Sequence, residues 1–309
     1  MRRTLTLSWL TLLLYTGGAF CQHQVQVPRG PLLRTEASAV SIWCNASGSS
    51  EGGFEWSLFP SHSPSKKLQI LSSADPHFSY AVYRERVSVR REIYLERVGK
   101  NAARLHITHL RAEDGGEYEC HTPNTAHTYY GSYSASVRLT VIPDLLRVLN
   151  LSPAPRSLRE GDPLTLLCEV SSETPQHTHV SVAWLQASAE AAHAVLGLSA
   201  HAVVSAGPRF AGRHRNGELR IEKLSAARYQ LALSRLRAGD AGGYFCRATE
   251  WIQDPDGSWY PLITRSGSLT TIQLSSPGVM SAVKSASENS AAPPTLLVGL
   301  LALLSWPLY

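Results

Sequence analysis

Polar and apolar residues alternate in short runs along most of this chain, the period of half-buried strands. Gln24 to Cys44 alternates loosely and is rich in Val, Ser and Ile. Phe54 to Phe59 alternates around Trp56, and Arg104 to Leu110 alternates cleanly. Between them, Tyr80 to Val98 reads as strand, with Val82, Val87, Val89, Ile93 and Leu95 set among charges. Gly131 to Val141 closes this first set. A second set repeats the order: Leu164 to Cys168, Val180 to Leu185, Arg228 to Leu233, a turn and strand over Asp240 to Ala248, and Ile263 to Leu274. Pro143-Asp144 predicts a hinge between the sets. Ser275 to Pro294, rich in Ser, Ala and Pro, predicts a flexible stalk.

Inside the two sets one frame is written twice. The first copy is Cys44, Trp56 and Asp114-Gly115-Gly116-Glu117-Tyr118-Glu119-Cys120. The second is Cys168, Trp184 and Asp240-Ala241-Gly242-Gly243-Tyr244-Phe245-Cys246. A cysteine, a tryptophan shortly after it, and a distant D-x-G-x-Y-x-C are the sequence form of an immunoglobulin sandwich. The cysteines bridge its two sheets and the tryptophan packs on the bridge. The tyrosine returns its hydroxyl to the turn that enters the strand. The predicted fold class is therefore all-β: two tandem immunoglobulin variable-type sandwiches, over residues 22–143 and 144–275. Separations of 76 and 78 residues between the cysteines suit the variable type. Each bridge should remove roughly 4–5 kcal/mol of chain entropy from the unfolded state. Arg86 with Asp114, and Arg213 with Asp240, are the candidate ion pairs at the base of each turn.

The composition is that of a globular protein, 43% hydrophobic and 17% charged. A formal charge of +5 gives no case for nucleic acid. Met1-Arg2-Arg3 followed by an apolar run reads as a secretory leader over residues 1–21. Cleavage before Gln22 or before Phe20 fits the small-residue rule. The first removes Cys21 and leaves an even set of cysteines for an oxidising compartment. At the other end, Leu296 to Tyr309 is apolar but shorter than the roughly 20 residues of a spanning helix. Small residues precede it, and Asn289-Ser290-Ala291 or Ser285-Ala286-Ser287 would serve as an attachment triplet. The pattern predicts a stalk over 276–294 and a lipid-anchor (GPI) signal over 295–309, with a short transmembrane tail as the alternative.

Chemistry is sparse. No nucleophile elbow accompanies the Ser, His and Asp residues, so no enzyme, catalytic residue or cofactor is expected. No close C-x-x-C pair marks a zinc site. His177-Thr178-His179 sets two imidazoles on one strand face without an evident third ligand, so no metal is expected. Asn45-Ala46-Ser47 and Asn150-Leu151-Ser152 are the N-glycosylation sequons. Arginines crowd Arg84 to Arg104 and Arg209 to Arg220, which reads either as solvated strand faces or as a site for sulfated glycans.

One stretch is more specific. After Cys246 the chain runs Glu250-Trp251-Ile252-Gln253-Asp254-Pro255-Asp256-Gly257-Ser258-Trp259-Tyr260. Asp-Pro-Asp-Gly predicts a tight turn joining two strands, with Trp251 and Ile252 near Trp259 and Tyr260. Aromatic residues grouped there could be a binding hot spot or could stiffen the hairpin.

The Glu250-Trp251-Ile252 triplet at this place resembles the EWI family of immunoglobulin-superfamily proteins. Val27-Pro28, Cys44-Asn45, Phe54-Glu55-Trp56, His121-Thr122-Pro123 and His177-Thr178-His179 resemble it too. The likeness covers both frames, from Gln22 to Leu274. It implies a cell-surface protein that binds extracellular or cell-surface partners. Tetraspanin association and an influence on adhesion, migration and membrane organisation are implied as well. The expected role is extracellular recognition or adhesion, with transmembrane tetraspanin partnership as the alternative.

Overall fold

Val40 to Ser47 shows the rule that builds the molecule: Val40, Ile42, Cys44 and Ala46 face inward while the intervening residues face out. A computed structural model describes residues 22–47, 53–75, 77–123, 131–152 and 158–275. The expected leader, stalk and terminal signal, with Asn289 and Ser285, lie outside the described residues.

The first sandwich is built from β1 (His23–Gln26), β2 (Leu32–Thr35), β3 (Val40–Ser47), β4 (Glu55–Pro60), β5 (Leu68–Ser72), β6 (Ile93–Gly99), β7 (Ala102–Ile107), β8 (Gly116–His121), β9 (Gly131–Ser132) and β10 (Ser134–Ile142). One sheet has the order β6-β7-β3-β1-β9 and the other β2-β10-β8-β4-β5. Ile42, Phe54, Trp56, Leu58 and Leu105 are fully buried between them. Cys44 on β3 is bonded to Cys120 on β8, across the two sheets. Trp56 stands opposite Cys120 in the β4–β8 register, which sets the indole on the bridge.

The second sandwich contains β11 (Leu146–Asn150), β12 (Leu164–Ser172), β13 (His179–Gln186), β14 (His193–Leu198), β15 (Val204–Ala206), the one-turn helix α1 (Ala211–Arg215), β16 (Leu219–Lys223), β17 (Arg228–Leu233), β18 (Gly242–Gln253), β19 (Trp259–Ser266) and β20 (Thr270–Ile272). Its sheets are β11-β12-β17-β16 and β15-β14-β13-β18-β19, with β20 also on β18. Cys168 and Cys246 bridge them, and Trp184 faces Cys246 across β13 and β18.

The base of each sandwich is the same device built twice. Arg86 Nη1 donates to Asp114 at 2.6 Å and Arg213 Nη1 to Asp240 at 2.6 Å. Each arginine also reaches a backbone carbonyl, His109 and Arg235 respectively, and a second carboxylate, Glu92 or Glu218. Tyr118 and Tyr244 donate their hydroxyls to the carbonyls of Asp114 and Asp240, both at 2.9 Å. Burial pushes both phenols above their ordinary pKa, and the neighbouring aspartate charges push the same way.

Three readings of the pattern need correction. Tyr80 to Val89 is not strand: it folds as a short 3-10 turn over Ala81–Tyr83 and a π turn over Glu85–Val89. Drawing Arg86 inward to Asp114 requires the turn, and Val82 and Val89 stay on the surface at 68% and 76% exposed. The last strand of the second sandwich begins at Trp259, ahead of Ile263, and breaks before β20. Pro143-Asp144 is no free hinge. Asp144 accepts from Leu146 N and pairs with Arg265.

Candidate functional site

The stretch after Cys246 divides its side chains between two tasks, and strand alternation decides which residue does which. Glu250 is fully buried. Its carboxyl oxygens take hydroxyl donors from Ser172 at 2.8 Å, Thr174 at 3.2 Å and Thr178 at 2.6 Å. Ser172 ends β12, and Thr174 and Thr178 lie in its connection to β13. Glu250 therefore ties that loop to the strand that carries the triplet, and burial is tolerable because its acceptors are filled.

Two residues beyond Glu250 on the same side, Ile252 meets the first sandwich. Ile252 and Tyr260, paired across β18 and β19, pack on a small cluster of Leu33, Ile142 and Leu262. Thr35 Oγ1 donates to the Leu262 carbonyl at 2.7 Å, and Tyr260 donates its hydroxyl to the Ala39 carbonyl at 2.7 Å. Arg34 lies over the Tyr260 ring with its guanidinium carbon 3.5 Å from the centroid. Arg34 also grips Asp254 with two N–H···O bonds of 2.9 and 2.7 Å. Burial raises the Tyr260 phenol above its ordinary pKa, and the Arg34 charge only partly opposes this. The turn itself closes by Gly257 N to the Asp254 carbonyl at 2.8 Å, with Gly257 at φ 89. The hydroxyl and N–H of Ser258 hold the Asp256 carboxyl below its usual pKa range.

Trp251 and Trp259 point the other way. Trp251 Nε1–H donates to Ser181 Oγ at 2.8 Å. Trp259 packs against His179 and His201, with ring centroids 4.7 and 5.2 Å away. His179 Nδ1 donates to the Ala200 carbonyl at 3.1 Å, which fixes its tautomer. The two indoles rim an open groove of about 360 Å³ on the β14-β13-β18-β19 face, floored by Ser181, Ala183 and Gly197.

The aromatic hairpin, expected either as a binding hot spot or as a hairpin stiffened by its own packing, is divided in the fold. Glu250 is internal, and Ile252 and Tyr260 form a seam between the sandwiches. Only Trp251 and Trp259 face outward. Arg34, absent from any sequence expectation, completes the seam. His177 and His179 stack edge to face at 5.2 Å, and among the described residues no three metal-binding side chains gather. The arginine-rich strands are interleaved with acid: Arg90 pairs with Glu85 and Glu92, Arg104 with Glu96, and Arg111 with Glu92 and Glu113. Asn45 faces solvent on β3. Asn150 turns its amide into the fold, donating to the Ser268 carbonyl and to Thr270 Oγ1, both at 2.8 Å.

Residues 26–142 match the immunoglobulin V-set domain. The chain is 45% identical over 269 residues to immunoglobulin superfamily member 3 of Xenopus laevis, covering 86% of this chain and 23% of that protein. It is 42% identical to immunoglobulin superfamily member 2 of Homo sapiens, over 85% of this chain and 26% of that protein. To immunoglobulin superfamily member 8 of Homo sapiens it is 39% identical, over 86% of this chain and 46% of that protein. The chain belongs to the EWI group of the immunoglobulin superfamily. It spans about a quarter to a half of the length of these EWI relatives. Among the described residues no helix is long and apolar enough to cross a membrane.

Proposed function

We propose that this chain recognises partners at the outside of the cell, through the β14-β13-β18-β19 face of its second sandwich. One observation carries the reading. Trp251 and Trp259 are turned outward around an open groove, although Ile252 and Tyr260 beside them are turned into the seam. Both indoles are half-buried, and aromatic rings around a concavity are the usual anchors of a recognition surface. The seam supports the same reading, because a hairpin fixed at its base presents its rings with little entropy left to lose on binding. The kinship with cell-surface immunoglobulin proteins supports an adhesive or receptor-modulating role.

The leader pattern, the small-residue triplets at Ser285 and Asn289 and the apolar end support export and a lipid tether to the outer leaflet. The experiment that tests the reading is adhesion of cells displaying the full chain. Trp251→Ala and Trp259→Ala should each reduce adhesion at equal surface display. Undiminished adhesion would contradict it.

A further inference from the structure

We infer that the Trp251–Trp259 groove binds a terminal acidic sugar, one bearing a ring-attached carboxylate such as a sialic acid. This rests on the recognition reading above and names what the face recognises.

Arg247 lies on the wall of the groove, on β18, four residues before Trp251 and on the same side of the strand. Its Nε donates to Ser266 Oγ at 3.3 Å, and its two Nη atoms meet no acceptor among the described residues. No carboxylate pairs with it, unlike Arg86 and Arg213, and its guanidinium carbon lies 5.6 Å from the centroid of the Phe245 ring. Its cross-strand neighbour on β13 is Ala183, which faces Gly197 on β14. Two small residues therefore leave the guanidinium open on the groove side. A Cβ on Gly197 would already sit 3.3 Å from Ser205 Oγ, so any larger side chain there would fill the space.

The rest of the lining fits a sugar. Ser181, Ser199, Ser205 and Thr249 bring hydroxyls, and Trp251 and Trp259 bring flat apolar faces for the C–H side of a ring. Arg247 and Trp251 are about 13 Å apart along the strand at about 3.3 Å per residue, with Thr249 between them. The carboxylate of such a sugar is carried on its own ring, so a carboxylate held at Arg247 sets that ring beside Thr249 and leaves Trp251 for the next sugar of the glycan. The guanidinium fork matches a carboxylate in a bidentate pair. An extended peptide suits the face less well. Such peptides gain affinity from main-chain hydrogen bonds at a sheet edge. Here β13 and β18 are paired on both sides, so their backbone groups are spent.

The test probes cells displaying the full chain, first treated with sialidase to remove acidic sugars on the same membrane. One fluorescent polymer conjugate carries sialyl-lactose and a matched one carries lactose. The proposal expects the acidic conjugate alone to bind. Arg247→Ala should cut that binding by about tenfold or more, Arg247→Lys should retain part of it, and Trp259→Ala should reduce it at equal surface display. Equal binding of the two conjugates, or full binding by Arg247→Ala, overturns it. If neither conjugate binds while Trp251→Ala and Trp259→Ala still weaken adhesion, the sugar assignment falls and the recognition reading stands, with a protein surface as the ligand.

Discussion

Arg34 of the first sandwich rests on the ring of Tyr260 of the second at 3.5 Å while its guanidinium holds Asp254 in a bidentate pair. The Arg34 side chain is 5% exposed and that of Asp254 11%. Removing one partner of a pair buried this far leaves the other charge uncompensated, a cost of about 3–5 kcal/mol. Arg34→Ala should therefore lower the melting temperature of the tandem by several degrees. Arg34→Lys should recover only part, since an ammonium cannot reproduce the fork or the stacking. Thermal melts of the three proteins check this.

Glycosylation should separate the two sequons. Asn45 is on an outward strand position, whereas both amide protons of Asn150 are engaged with Ser268 and Thr270. Asn45→Gln should lower the mass of the expressed protein by one glycan. Asn150→Gln should leave the mass of the glycoform unchanged and lower stability by about 1 kcal/mol, through the lost hydrogen bonds. Intact-mass spectrometry of both variants reads the difference.

Acid should loosen the base of both sandwiches together. Partial desolvation pushes Glu92 and Glu218 upward, but their arginine partners outweigh it. The hydrogen bond and charge of Arg86 hold Glu92 below its ordinary pKa of 4.5, and Arg213 with Arg237 do the same for Glu218. A folded-state pKa below the unfolded value contributes stability that is present above pH 4.5 and lost as the pH falls through the folded value. Glu92→Gln with Glu218→Gln should therefore melt lower than the parent near neutrality. The gap should close at strongly acid pH, and melts across a pH series would show it.

The proposed tether makes a separate prediction. A phosphatidylinositol-specific phospholipase should release the full chain from intact expressing cells into the medium. Retention on the cells, with the apolar terminal peptide still attached, would favour a transmembrane tail.

The sequence made the repeated frame legible because its members act locally. The tyrosine two residues before each second cysteine, the opening aspartate and the core tryptophan are fixed by strand register, and Arg86 and Arg213 followed from the aspartates they serve. The seam was not legible. Arg34 and Asp254 are 220 residues apart, and one arginine in a short strand has no periodic signature. The hairpin was visible as a cluster of aromatic residues, but its alternation alone did not show that one side meets the first sandwich. Val82, Val87 and Val89 misled because the chain here folds as a 3-10 and a π turn, which bury Arg86 and leave Val82 and Val89 on the surface.

The most direct measurement compares two double variants for melting temperature and for adhesion of displaying cells. The account predicts opposite patterns. Trp251→Ala with Trp259→Ala should lose adhesion and keep most of its melting temperature, because both indoles line the outer groove. Ile252→Ala with Tyr260→Ala should lose several degrees, by about 2–4 kcal/mol of seam packing, and keep adhesion at temperatures where it stays folded. If both variants lose adhesion only in proportion to their loss of stability, the outward indoles are structural and the claim that this face recognises a partner is wrong.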